Sequence, residues 1–128
     1  MTTPQEKKIL IIEDEAPLRQ ALSDKFSREG FQVVQAKNGE EGLVVALAEH
    51  PDIILLDIIM PKVSGLAMLK SLRNDEWGKD IPVIILTNLN DAENVSKAME
   101  SGAYEFLVKS DCKLSELITR VKSKLGIS

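Results

Sequence analysis

Three carboxylates, one hydroxyl and one ammonium stand where apolar runs of this chain end. Glu13 and Asp14 follow Lys8–Ile12, Asp57 follows Ile53–Leu56, Thr87 closes Pro82–Leu86, and Lys109 follows Tyr104–Val108. Brought together, these groups suit one kind of chemistry. Oxygen ligands clustered with room for water are what Mg²⁺ prefers, bound by one or two carboxylates plus a phosphate. An aspartate can then act as nucleophile and form an acyl phosphate, with the metal stabilising charge on the transferring group. Asp57 is the candidate nucleophile, Lys109 the cation for one phosphoryl oxygen, and Thr87 the hydrogen-bond donor to another. The acids need a positive partner in any case, because two unit charges about 4 Å apart repel by about 1 kcal/mol in water and about 4 kcal/mol at an effective dielectric of 20.

Taken singly, each residue has a plainer role. Asp14 could cap the first helix, Thr87 could cap or turn, and Lys109 could be a solvated lysine after an edge strand. What favours a shared site is that all five fall at the same end of a repeating pattern.

That pattern is strand followed by helix, five times. The run Ile53–Leu56, like Ile9–Ile12 and Val83–Leu86, has four consecutive apolar residues and reads as a strand covered on both faces. Phe31–Ala36 carries Gln32 and Gln35, and Tyr104–Val108 is also interrupted, which places these two at the sheet edges. Between them lie helical patterns: Leu18, Leu22 and Phe26 with Ala21 on the same side; Leu43, Ala46 and Leu47; Leu66, Leu69 and Leu72; Val95, Ala98 and Met99; and Leu114, Leu117, Ile118, Val121 and Leu125. Pro17 suits the first turn of the first helix, and Gly30 ends it. Trp77, in the polar connection Asn74–Ile81, is expected to lie over a helix end, and His50, with no Cys or second His nearby, to serve at a helix end. The pattern predicts an α/β fold with a doubly wound five-stranded parallel sheet in the order 2-1-3-4-5, and a ligand site at its switch point between strands one and three.

Composition bounds the alternatives. The chain has 128 residues, 44% hydrophobic and 28% charged, one domain's worth able to bury a core without disulfides. It is expected to be a single domain over 1–128 with its core at about 8–125. A net charge of −4 argues against a nucleic-acid surface. There is no apolar run of the roughly 20 residues a membrane span needs, and the start of the chain does not look like an export signal. Cys112 is the only cysteine, and the expected location is cytoplasmic.

These residues resemble the receiver domain of two-component response regulators, similar to the stand-alone chemotaxis type. The likeness runs from Lys8 to about Leu125 and includes a Leu-Leu-Asp-x-x-Met-Pro-x-x-x-Gly pattern over Leu55–Gly65. The resemblance implies Asp57 as phosphoacceptor, and Glu13, Asp14, Asp57 and the backbone carbonyl of Ile59 as ligands of Mg²⁺ or Mn²⁺. Thr87 and Lys109 would act in phosphotransfer, and Thr87 and Phe106 would be switch residues. It further implies a sensor histidine kinase or phosphotransfer protein as donor, and a downstream protein meeting the face of helix four, strand five and helix five. That face carries Lys113, Arg120, Lys122 and Lys124 nearby, each also readable as part of a solvated helix surface, and a homodimer could use it too. The domain would not be an enzyme beyond self-catalysed phosphotransfer and slow autodephosphorylation. It would bind neither nucleic acid nor membrane.

Several departures stand out. The family usually has proline after the lysine, with a cis bond between them, whereas this chain has Lys109-Ser110. A cis bond costs about 0.5 to 1 kcal/mol before proline and about 2.5 to 4 kcal/mol elsewhere, so a trans bond is expected, with Ser110 or Asp111 capping the last helix. Phe106 lacks the hydroxyl of a tyrosine and is equally readable as a core or edge-strand aromatic. Asn88 stands where the family prefers a small residue, and Ile59 and Leu89 are expected to slow water attack. Ile59→Asn should then lose its phosphoryl group faster than the parent.

Two other classes remain open on sequence. A non-phosphorylated interaction module draws support from Ser110, but the intact set of acids, Thr87 and Lys109 weighs against it. A small enzyme or cofactor protein on the same architecture fits less well. A flavodoxin wants a Ser/Thr/Gly-rich phosphate loop where this chain has Glu13-Asp14-Glu15, and a haloacid-dehalogenase-type phosphatase wants an acid at the place of Ile59.

Overall fold

The computed structural model describes residues 7–57, 65–87, 92–108 and 114–126, the side chains of Thr87, Ala92, Asn94 and Val108 excepted. Five strands alternate with five helices: β1 (Lys8–Ile12), α1 (Ala16–Arg28), β2 (Gln32–Ala36), α2 (Gly39–Glu49), β3 (Ile53–Asp57), α3 (Gly65–Arg73), β4 (Val83–Thr87), α4 (Ala92–Glu100), β5 (Glu105–Val108) and α5 (Leu114–Leu125). The sheet is parallel throughout, in the order β2-β1-β3-β4-β5, as the apolar runs predict. Phe31, Pro82 and Tyr104 each precede their strand by one residue.

Alternate side chains of each central strand enter two cores. Leu10, Ile12, Ile54, Leu56 and Ile85 pack under α2, α3 and α4. Ile9, Ile11, Ile53, Leu55 and Ile84 pack under α1 and α5. β3 is buried along its whole length, so its last residue, Asp57, is delivered to the sheet's carboxyl edge with little room to move.

The helix faces differ from the periodic expectation at three places. In α1, Leu22 and Phe26 are buried as expected, but Ala21 is exposed and Ser23 is buried instead, its hydroxyl donating to Arg19 O at 2.8 Å. In α2 the buried residues are Gly39, Gly42 and Ala46, whereas Leu47 faces outward. Gly42 lies so close to β1 that a Cβ there would stand 2.5 Å from Ile12 Cδ1. In α4, Ala98 is buried and Met99 is exposed.

The two expectations about ring positions hold. His50 closes α2 in the left-handed region (φ 48°), and its backbone N–H donates to Ala46 O at 2.9 Å. Trp77 stacks on it, with ring centroids 4.4 Å apart and planes 12° from parallel.

Candidate functional site

β1 and β3 are neighbours, and the chain leaves them to opposite sides of the sheet order, so their carboxyl ends open into the switch-point crevice. Ile12 pairs with Leu56, which sets Glu13 and Asp57 side by side one residue further on. Glu13, Asp14 and Asp57 each bring a carboxylate oxygen within 4.8 Å of the others. Glu13 is 0% exposed and Asp57 4%, while Asp14 reaches solvent.

The turn holding these acids is braced from several directions. Glu13 N–H donates to Ala36 O at 3.1 Å, extending the β1–β2 ladder by one bond. The Glu13 carboxylate accepts from Glu15 N–H at 3.1 Å, which curls the chain into α1. Arg19 Nη1 donates to Glu13 O at 2.8 Å, and Arg19 Nε donates to Gln35 Oε1 at 3.3 Å. Sequence spacing does not point to Arg19, because its guanidinium serves a backbone carbonyl, which any residue could supply.

β4 and β5 complete the edge. Asp57 pairs with Leu86, and Thr87 with Val108, so Thr87 ends its strand at the same edge. Its side chain lies outside the described residues, as do Ile59, Lys109 and Ser110, and with them the expectations of a trans Lys109–Ser110 bond and a cap from Ser110 or Asp111. Phe106 is 43% exposed on the edge strand, which removes the reading of it as a core aromatic.

Hard oxygen donors are the ligands that Mg²⁺ and Mn²⁺ prefer. Two withdrawn carboxylates beside one that reaches water match a site that holds a divalent ion while leaving it partly hydrated. The residues present therefore fit such an ion.

The family model for the response regulator receiver domain matches residues 9–122, and the chain belongs to that family, the receiving side of two-component signalling. It is 38% identical over 121 residues to the probable transcriptional regulator ycf27 of Porphyridium aerugineum, covering 94% of this chain and 49% of that protein. It is 34% identical to the phosphate regulon transcriptional regulatory protein PhoB of Pseudomonas aeruginosa, covering 93% of this chain and 52% of that one. The chain thus spans about half the length of the curated relatives it matches. Among solved structures, it resembles the receiver domain of a Francisella response regulator (32% identity, TM-score 0.82, 91% and 94% of the two chains). It also resembles the signal receiver domain of a signal transduction histidine kinase from Syntrophus aciditrophicus (33%, TM-score 0.85, 94% and 90%). Among the described residues no helix is long and apolar enough to cross a membrane.

Proposed function

We propose that this receiver accepts a phosphoryl group on Asp57 from a histidine kinase or phosphotransfer protein, and that the modified form controls a downstream partner. The observation that supports this is the meeting of Glu13, Asp14 and Asp57 at the switch point, with acid oxygens within 4.8 Å of one another. In the proposed reaction a carboxylate oxygen of Asp57 attacks phosphorus. A P–O bond forms, the P–N bond to the donor imidazole breaks, and the imidazole leaves with the electron pair. Mg²⁺ or Mn²⁺, held by Glu13, Asp14, Asp57 and the Ile59 carbonyl, would supply charge neutralisation for the transferring group.

Burial of Asp57 at the end of a rigid strand fixes the direction of attack. Thr87, at the end of the neighbouring strand, would donate a hydrogen bond to one phosphoryl oxygen, and Lys109 would pair with another. Return to the resting state is attack of water on phosphorus, releasing phosphate and restoring the carboxylate. The chain would act as one receiver unit over 1–128, in the cytoplasm, as a signalling domain rather than a turnover enzyme. Phe106 and Thr87 would carry the change to the face of α4, β5 and α5, where a downstream protein or a second copy docks. The curated relatives named above are transcriptional regulators; this domain, with its net charge of −4, would bind partners rather than DNA.

Incubation with Mg²⁺ and acetyl phosphate should add one phosphoryl mass to the protein and none to Asp57→Asn. Absence of an adduct, even with a phosphorylated histidine kinase as donor, would favour a receiver fold used only for protein contacts.

A further inference from the structure

The C-terminal end of α4, where Ala98 and Ala103 enter the core, is also tied to the body of the protein by a side chain from another helix. Arg73, in the last turn of α3, donates from Nη2 to Gly102 O at 2.7 Å and from Nη1 to Gly78 O at 2.7 Å. Gly102 ends α4 in the left-handed region (φ 94°), and the next residue closes the cap, Ala103 N–H donating to Ala98 O at 3.1 Å. A Cβ at 102 would stand 2.9 Å from Arg73 Nε, so the guanidinium lies against the bare glycine backbone. The other acceptor is equally constrained. Asp75 Oδ2 accepts from Trp77 N–H at 2.9 Å and Gly78 N–H at 3.0 Å, and a Cβ at Gly78 would stand 2.3 Å from Leu72 O. Two residues past the pin, Tyr104 N–H donates to Val83 O at 2.9 Å and joins the chain to β4.

The rest of α4 is lightly held. Among its described side chains Ala98 alone is fully buried, whereas α3 buries Met68, Leu69 and Leu72 and α5 buries Leu117, Ile118 and Val121. Its described ion pair, Lys97 with Glu93 at 3.3 Å, lies within the helix and ties it to nothing else. A helix with little apolar anchorage is drawn from the low-stability end of a fold. Here that helix begins beyond the carboxyl end of β4, the edge that carries Asp57, and ends at a polar clamp on the opposite edge.

We propose that Arg73 is the pivot pin of α4. It holds the Gly102 end stationary, so that reorientation of α4 is a swing of its N-terminal turns rather than a translation of the whole helix. The trigger in this proposal rests on the phosphoacceptor reading of Asp57; the pin itself does not.

Backbone hydrogen exchange on the full chain separates the two. In the unmodified protein, Arg73→Met keeps the stem against Gly102 but removes both donors. The amides of Ser101, Gly102 and Ala103 should then exchange roughly tenfold faster or more, while those of Leu117–Val121 in α5 stay as in the parent. Unchanged protection at 101–103 overturns the pin. Should the α5 amides also lose protection, Arg73→Lys, which keeps the charge but cannot span both carbonyls, replaces it under the same criterion.

With Mg²⁺ and beryllofluoride, a phosphoryl mimic, the parent should change exchange over 92–97 and not at 101–103, and in Arg73→Met the change should run through to 103. A parent response as strong at 101–103 as at 92–97, or an identical response in the variant, overturns the pivot. If fluorine NMR shows no bound beryllofluoride, or equal binding by Asp57→Asn, the phosphoacceptor reading fails. The unmodified-protein comparison still decides the pin.

Discussion

Glu13 and Asp57 lie side by side on adjacent strands, both withdrawn from water, with carboxylate oxygens within 4.8 Å of each other and of Asp14. At that separation and an effective dielectric of 20, two unit charges repel by at least about 3.5 kcal/mol. Removing one of the charges should relieve that repulsion. In metal-free buffer Asp57→Asn should be more stable than the parent by roughly 1–2 kcal/mol, part of the gain being offset by the interactions Asp57 already makes. Saturating Mg²⁺, at about 100 times its dissociation constant, should raise the parent's stability by about 2.7 kcal/mol and the variant's by much less. Urea melts with and without Mg²⁺ check both; a parent midpoint indifferent to Mg²⁺ would remove the ion from this site.

Much of this was legible in the chain before its structure. Ile9–Ile12, Ile53–Leu56 and Val83–Leu86 announce central strands because a strand covered on both faces has no polar alternation to obscure it. The acids are visible because each lies within two residues of the end of such a run. What stayed hidden depends on contacts that carry no spacing. Arg19 and Arg73 both work by donating to backbone carbonyls, which every residue possesses. On α2, Ala46 is buried and Leu43 packs against the core as the periodicity indicates, but Leu47 faces outward, and the closest approach to β1 falls on Gly42, which periodicity passes over because it weights large side chains.

That close approach of α2 to β1 has a measurable consequence. A methyl group at position 42 would meet Ile12 Cδ1 at 2.5 Å, Cγ1 at 3.0 Å and Cγ2 at 3.2 Å, and Ile12 is fully buried. Gly42→Ala gains about 1 kcal/mol of helix propensity but overpacks the core, at a cost of typically 1–3 kcal/mol. The net effect should be neutral to mildly destabilising. Ile12→Val deletes the δ-methyl, the nearest atom, at about 0.5–1.5 kcal/mol when made alone. Combined, the two changes should be less destabilising than their sum by roughly 1 kcal/mol. A double-mutant cycle by chemical denaturation tests this, and strict additivity would mean that α2 shifts away from β1 instead.

α2 also has a defined start. Asn38 is extended and its side chain accepts from Glu41 N–H at 2.8 Å, while Glu41 Oε1 accepts from Lys37 N–H at 3.3 Å. Asn38→Ala should lower stability by about 1 kcal/mol, and Asn38→Asp, which retains the acceptor, should cost little. Equal losses in the two variants, measured by thermal melts, would show that Asn38 acts through something other than its cap.

The last prediction concerns pH and the contact between α5 and the end of α1. Lys122 Nζ donates to Glu29 Oε1 at 2.7 Å. That hydrogen bond, then the charge of Lys122, and more weakly that of Lys25, hold the Glu29 carboxyl below its ordinary value of 4.5. A carboxyl whose pKa is depressed by folding binds protons less readily in the folded chain than in the unfolded one. Its contribution to stability is then complete above the unfolded value and disappears as pH falls through the folded one. Glu29→Gln should therefore be less stable than the parent at pH 7, with the gap closing as pH drops below 4.5. Both residues are partly exposed, so salt should shrink the gap at neutral pH. Urea midpoints for the two proteins from pH 7 to pH 3 measure it. A gap that neither narrows in acid nor responds to salt would show that Glu29 contributes through packing rather than through its charge.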